Sequence, residues 1–149
     1  MSIPQSAGGP IQSRTDLVAH IAAGAKPRSE WRIGTEHEKF VYALKDHKPL
    51  PYAGMPGIRA LLEGMQRFGW RPIMEREYII GLSQGSAALS LEPGGQFELS
   101  GAPLKDVHET CAEVNTHRHQ VREVCAQPQS LRCFKHRACC VASSTKKAN

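Results

Sequence analysis

The stretch SLEPGGQFELS, residues 90 to 100, limits the fold more than any other part of the chain. Two extended-looking segments are interrupted by Pro93, Gly94 and Gly95, which must turn or bulge the backbone rather than continue it. Side chains alternate faces along a strand, so Gln96 and Glu98 share one face while Phe97 and Leu99 take the other. Glu92 ends the segment before the turn. Glu92, Gln96 and Glu98 can therefore present oxygen atoms together, with an apolar face behind them.

The rest of the chain supplies helices to cover that apolar face. From Thr15 the spacing of Leu17, Val18 and Ile21 predicts a helix capped by Ser13 or Thr15 and closed by Gly24 before Pro27. RIGTEHEKF, residues 32 to 40, reads as a strand of about eight residues. HKPLPYAGMPG, residues 47 to 57, carries three prolines and two glycines and reads as a loop. Ile58, Leu61, Leu62, Met65 and Phe68 then recur at helical spacing up to Gly69. Residues 78–82 and 87–91 suit two short strands joined by a Gly-Ser loop. After Pro103, a good first-turn residue, Leu104, Val107, Cys111, Val114, Val121 and Val124 make the stripe of a long helix. The order of elements predicts an α+β fold with helices packed on one face of a mainly antiparallel sheet.

A chain of 149 residues with 40% hydrophobic content suits one domain with a single core. Residues 1–12, rich in Ser, Pro and Gly, read as a flexible arm, and residues 13–125 as the folded portion. The formal charge of +5 suggests nucleic acid until it is located. Residues 1–125 hold fourteen basic and fourteen acidic side chains, so the excess is confined to Arg132, Lys135, Arg137, Lys146 and Lys147. Segment 126–149 reads as a basic, Cys-containing, disordered tail on a neutral body. Neither a nucleic-acid nor a membrane partner is expected. Five cysteines without paired spacing, together with the absence of a leader pattern, predict a reducing, cytoplasmic compartment.

Glu36 and Glu38, two apart in the RIGTEHEKF strand, share a face with stems about 6.7 Å apart, twice the strand rise. Like charges so placed repel, and they repel more as water is excluded. If this strand lies beside 96–100, four carboxylates meet. An all-oxygen set suits Mg²⁺ or Mn²⁺ and suits Zn²⁺ poorly. Such a metal cluster is what phosphoryl transfer from ATP requires. The plainer alternative is a row of solvated glutamates with Lys39 and Arg32 as their partners.

RIGTEHEKF, PLPYAG ahead of GIRALLEGMQRFGW, and SLEPGGQFELSGAPLKDVHETCAEVN together resemble the glutamate–cysteine ligase family of the plant and proteobacterial type, from about Leu17 to Cys125. The resemblance implies a glutamine-synthetase-like curved sheet forming a funnel. It also implies ATP- and Mg²⁺-dependent joining of the γ-carboxyl of L-glutamate to the amine of L-cysteine through a γ-glutamyl phosphate, the first step of glutathione synthesis. On this basis Glu36, Glu38, Glu98 and Glu92 are metal ligands and Gln96 is a substrate-binding position. No residue is given a catalytic role, and Arg118, Arg122 and the histidines are given none at all. Family members are much longer, and the abrupt change after Cys125 reads as a shifted frame or an alternative terminus. A truncated form with little activity alone is therefore expected.

Two other function classes fit some of the residues. Paired carboxylates can serve a hydrolase, which requires one glutamate protonated near neutrality and no magnesium. The basic tail can bind anions in an otherwise inactive chain. Cys133, Cys139, Cys140 and His136 lack the spacing of a structural zinc site. His117 and His119, about 200° apart on a helix, cannot chelate together.

Overall fold

The computed structural model describes residues 9–43 and 46–126. Helix α1 (Arg14–Ala23) begins at Ser13, whose Oγ accepts the Asp16 N–H at 3.2 Å while Asp16 Oδ2 accepts the Ser13 N–H at 2.9 Å. This reciprocal cap satisfies two of the free amide groups at the helix start. The face carrying Leu17, Val18 and Ile21, predicted to pack, is exposed on all three residues. Capping thus decides where α1 starts, and burial contributes little to it.

Strand β1 is Glu36–Phe40, five residues rather than the eight expected. Ahead of it, Ile33 makes only an isolated bridge with Leu104, so the chain pairs without becoming a continuous strand. Helix α2 (Ile58–Met65) buries Ile58, Leu61, Leu62 and Met65, tightens into a 3₁₀ turn over Gln66–Phe68, and stops at Gly69 with φ 88°. Glycine takes that left-handed conformation at no steric cost.

The remaining strands are β2 (Arg71–Glu75), β3 (Tyr78–Gln84), β4 (Ala87–Glu92) and β5 (Gln96–Ser100). β2 was not foreseen. It contains Pro72 and has no clean alternation, and it lies at an edge of the sheet, where a missing N–H is tolerated. The order β1-β5-β4-β3-β2 is antiparallel throughout. β2, β3, β4 and β5 follow one another through short turns. β1 reaches β5 across more than fifty intervening residues, so the pair that unites the two glutamate clusters is the least local in the sheet.

Helix α3 (Val107–Cys125) starts at Asp106, whose Oδ1 accepts the His108 and Glu109 N–H groups at 2.8 and 3.0 Å. The expected start after Pro103 is therefore several residues early. Leu104 lies outside the helix, and Val107 and Cys111 are exposed, so the apolar stripe is only partly realised. His117, Val121, Val124 and Cys125 are its buried residues. Val121, Val124 and Cys125 pack with α2 and with Leu82, Leu89, Phe97 and Leu99 of the sheet in one core. A side chain at Gly64 of α2 would collide with Val124, so the glycine permits the helices their close approach. No helix among the described residues is long and apolar enough to cross a membrane. The tail beyond Ala126, with its cysteines and cations, lies outside the described residues.

Candidate functional site

The sheet has one face against α2 and α3 and one face turned away from them. Directly opposed residues in an antiparallel ladder share a face. The register therefore sets out three rows on the outer face: Glu36, Ser100 and Ala88; Glu38, Glu98 and Ser90; Phe40, Gln96 and Glu92. All four glutamates and Gln96 stand on this face. Glu36 is exposed and Glu38, Glu92 and Gln96 are half-buried, whereas Glu98, on the strand between β1 and β4, is only 7% exposed.

The turn that delivers Glu92 and Gln96 to neighbouring positions has Gly94 and Gly95 at φ 82° and 77°, and the Gly95 N–H donates to Glu92 O at 3.0 Å. Two successive left-handed residues close the chain within a few positions, as glycine permits. Hydroxyls then orient the carboxylates. Ser100 Oγ donates to Glu98 Oε1 at 2.9 Å, and Ser90 Oγ to Glu92 Oε1 at 3.3 Å. The Gln96 amide donates to Pro93 O at 3.5 Å, a long contact that leaves it easily redirected.

Burial pushes the Glu98 carboxyl above the usual carboxylate range; the Ser100 hydrogen bond opposes this, and the charges of Glu92, Glu36 and Glu38 add to it. The four acids therefore act on one another through a common field. The cationic partners of the plainer alternative are elsewhere. Arg32 donates to the carbonyls of Ser29 and Trp31 at 3.2 and 2.8 Å, and Lys39 lies on the opposite face of β1. Among the described residues, no Lys or Arg forms an ion pair with Glu36, Glu38 or Glu98.

As placed, no three His, Cys, Asp or Glu side chains among the described residues are close enough to hold a metal ion. The carboxylates share a face and a field without closing into a cage. Their chemistry still fits a hard divalent cation, since the donors are all oxygen.

Behind the carboxylates lies a cluster that sequence reasoning passed over. Lys39 is 6% exposed; its Nζ donates to His37 O at 3.2 Å and to His117 Nε2 at 2.9 Å. An ammonium has no acceptor capacity, so a charged Lys39 is matched by the His117 tautomer with a lone pair at Nε2, while Nδ1 of the same ring is buried without a hydrogen-bond partner. Burial first, then Lys39 and His37, push His117 down to about 2. His37 is pushed down to about 4 by burial, Lys39 and Arg118. The His117 ring stacks on Phe97 at 5.8 Å and meets His37 edge-on at 6.3 Å. A signal for this cluster was present in the sequence: position 117 falls between Val114 and Val121 at helical spacing, on the predicted apolar stripe.

Comparison with known proteins gives this arrangement its context. The glutamate–cysteine ligase family 2 model (GCS2) matches residues 32–132, which includes every carboxylate above and passes the expected boundary at Cys125. Over 113 residues, 75% of this chain, the sequence is 52% identical to glutamate–cysteine ligase A, chloroplastic, of Oryza sativa subsp. japonica. It is 53% identical to the chloroplastic glutamate–cysteine ligase of Nicotiana tabacum and 52% identical to that of Arabidopsis thaliana. The matched region spans only 22% of the rice protein and 21% of the other two. These relatives also correct the compartment: all three are chloroplastic by name, which points to a plastid and away from the cytoplasm that cysteine usage suggested. With most of its length matched by the family model and about half of the aligned residues identical to those of named ligases, the chain belongs to glutamate–cysteine ligase family 2.

Proposed function

We propose that this chain supplies the carboxylate wall of an ATP- and Mg²⁺-dependent ligase. The reaction would join the γ-carboxyl of L-glutamate to the amine of L-cysteine on the way to glutathione. One observation carries the reading: Glu36, Glu38, Glu92 and Glu98 stand on a single sheet face, coupled electrostatically through Glu98. A resident Mg²⁺ or Mn²⁺ would neutralise phosphate oxygens and so permit transfer from ATP to an otherwise unreactive carboxylate. Glu36, Glu38 and Glu98 would hold the ion, with Glu92 as a further ligand. Each glutamate has three rotatable bonds with which to turn its oxygens inward. Gln96, whose amide is weakly engaged, would hydrogen-bond the substrate glutamate. The five-stranded sheet would form part of a glutamine-synthetase-like funnel.

The test is calorimetric titration of the chain and of Glu98→Gln with Mn²⁺ and Mg²⁺, followed by an assay for ATP-dependent γ-glutamylcysteine formation. Binding by the wild type and its loss in Glu98→Gln support the site; equal binding by both removes it. The hydrolase alternative draws on the raised carboxyl of Glu98. It predicts activity that is indifferent to chelation of divalent ions, which separates it from the ligase.

A further inference from the structure

β1 is an edge strand, with β5 as its neighbour in the sheet. Both of its outward carboxylates therefore ride on an element held by one ladder. Its inward residues are unusual for a core face. Where strands normally place aliphatic side chains, β1 places His37 and Lys39, 8% and 6% exposed. Burying an ammonium is unfavourable unless it is well partnered.

The partners are specific. Lys39 Nζ reaches across to His117 Nε2 on α3 at 2.9 Å and back to the carbonyl of His37 at 3.2 Å, and lies 5.9 Å from the centre of the Phe97 ring. One bond holds the side chain to its own strand and the other anchors that strand to the long helix. The carbonyl that it grips belongs to His37, the residue between Glu36 and Glu38. We infer that Lys39 and His117 are positioning residues for the ion site: the Lys39–His117 hydrogen bond seats β1 against α3 and so fixes where Glu36 and Glu38 present their oxygens. The bond acts from behind the sheet. It places no cation among the carboxylates and leaves their oxygens available to a metal.

This inference rests on the metal reading of Glu36 and Glu38, and the experiment separates the two. Mn²⁺ affinity is measured on the full chain, on Lys39→Met, and on the double variant Lys39→Met/His117→Leu, with thermal unfolding and hydrogen exchange of the 36–40 amides recorded on each. Lys39→Met leaves His117 without its partner and should lower the unfolding temperature. The double variant replaces the polar pair by an apolar one and should recover much of that loss, since a buried polar pair is often no more stabilising than a packed apolar one. The decisive reading is the double variant. Mn²⁺ affinity reduced about tenfold or more despite recovered stability, as for other supporting partners of metal ligands, together with faster exchange in β1 than in β4, supports positioning. Wild-type affinity and unchanged β1 exchange in the double variant overturn it. Failure of the wild type itself to bind Mn²⁺ overturns the metal reading and the positioning role with it, whereas unaltered exchange in a binding-competent double variant rejects the tether alone. Lys39→Arg is the conservative control and should retain β1 protection.

Discussion

Glu38 of β1 and Glu98 of β5 are directly opposed across one antiparallel ladder, on the sheet face turned away from the core. Like charges in that relationship destabilise a sheet by roughly 0.2–1 kcal/mol. Burial of Glu98 and the nearby charges of Glu92 and Glu36 add to the conflict. The fold tolerates this arrangement without placing a Lys or Arg on Glu38 or Glu98 among the described residues.

Glu98→Gln should therefore have opposite effects on two measurements. In the presence of a chelator the variant should be more stable than wild type by roughly 0.5–1 kcal/mol, because a buried carboxylate facing like charge is removed. With excess Mn²⁺ the order should reverse, since only the wild type gains binding free energy. Denaturant unfolding with and without the metal reads both.

Ser100→Ala should raise the Glu98 carboxyl further. The Ser100 hydroxyl donates to Glu98 Oε1 at 2.9 Å and is the contact that lowers its pKa against burial. Removing a donor from the ionised form favours the protonated one. Carbon-detected NMR titration of the Glu98 carboxyl in wild type and variant should show the upward shift.

Acid should begin to weaken the fold as pH falls below the ordinary histidine range. His117 and His37 are held at about 2 and about 4, below the ordinary value of 6.5. Between those limits the unfolded chain binds protons that the folded chain refuses. Stability is fully present above about 6.5 and is lost as pH falls, through both histidines down to about 4 and through His117 alone below that. The raised Glu98 acts with the opposite sign and offsets part of the loss. The unfolding temperature plotted against pH should slope upward from 4 to 6.5, and the Lys39→Met/His117→Leu variant should show a shallower slope.

Gly81→Ala should be costly despite the small change. A β-carbon there would lie 2.6 Å from the carbonyl oxygen of Leu89, across the β3–β4 ladder. Backbone cannot yield as a flexible side chain does, so a loss of about 1–3 kcal/mol is expected. Chemical denaturation gives the value.

Local features of the sequence settled much of this protein. The alternation in EHEKF and QFELS sorted carboxylates from core residues, and Pro93, Gly94 and Gly95 set the turn between β4 and β5. The spacing of Ile58, Leu61, Leu62 and Met65 set the buried face of α2, because these choices depend on neighbours a few residues away. Family membership, too, was legible in those stretches. What lay beyond reach was non-local. Strand β2 exists because the β3 edge was there to pair with it, and a segment with a proline advertises no such pairing. The exposure of Leu17, Val18 and Ile21 could not be read from a helix whose own periodicity looked buried.

The glutamate clusters were visible as two separate motifs, but only the pairing of β1 with β5 brings Glu38 opposite Glu98. Register across more than fifty residues is fixed by the whole sheet and its core, not by either strand. The same holds for Lys39 and His117, seventy-eight positions apart and 2.9 Å from each other. Sequence determined which chemical groups the chain carries and which way each strand faces, through steric and hydrophobic patterns that act locally. Tertiary structure decided which of those groups meet, because burial and cross-strand pairing act only between segments that folding has already brought together.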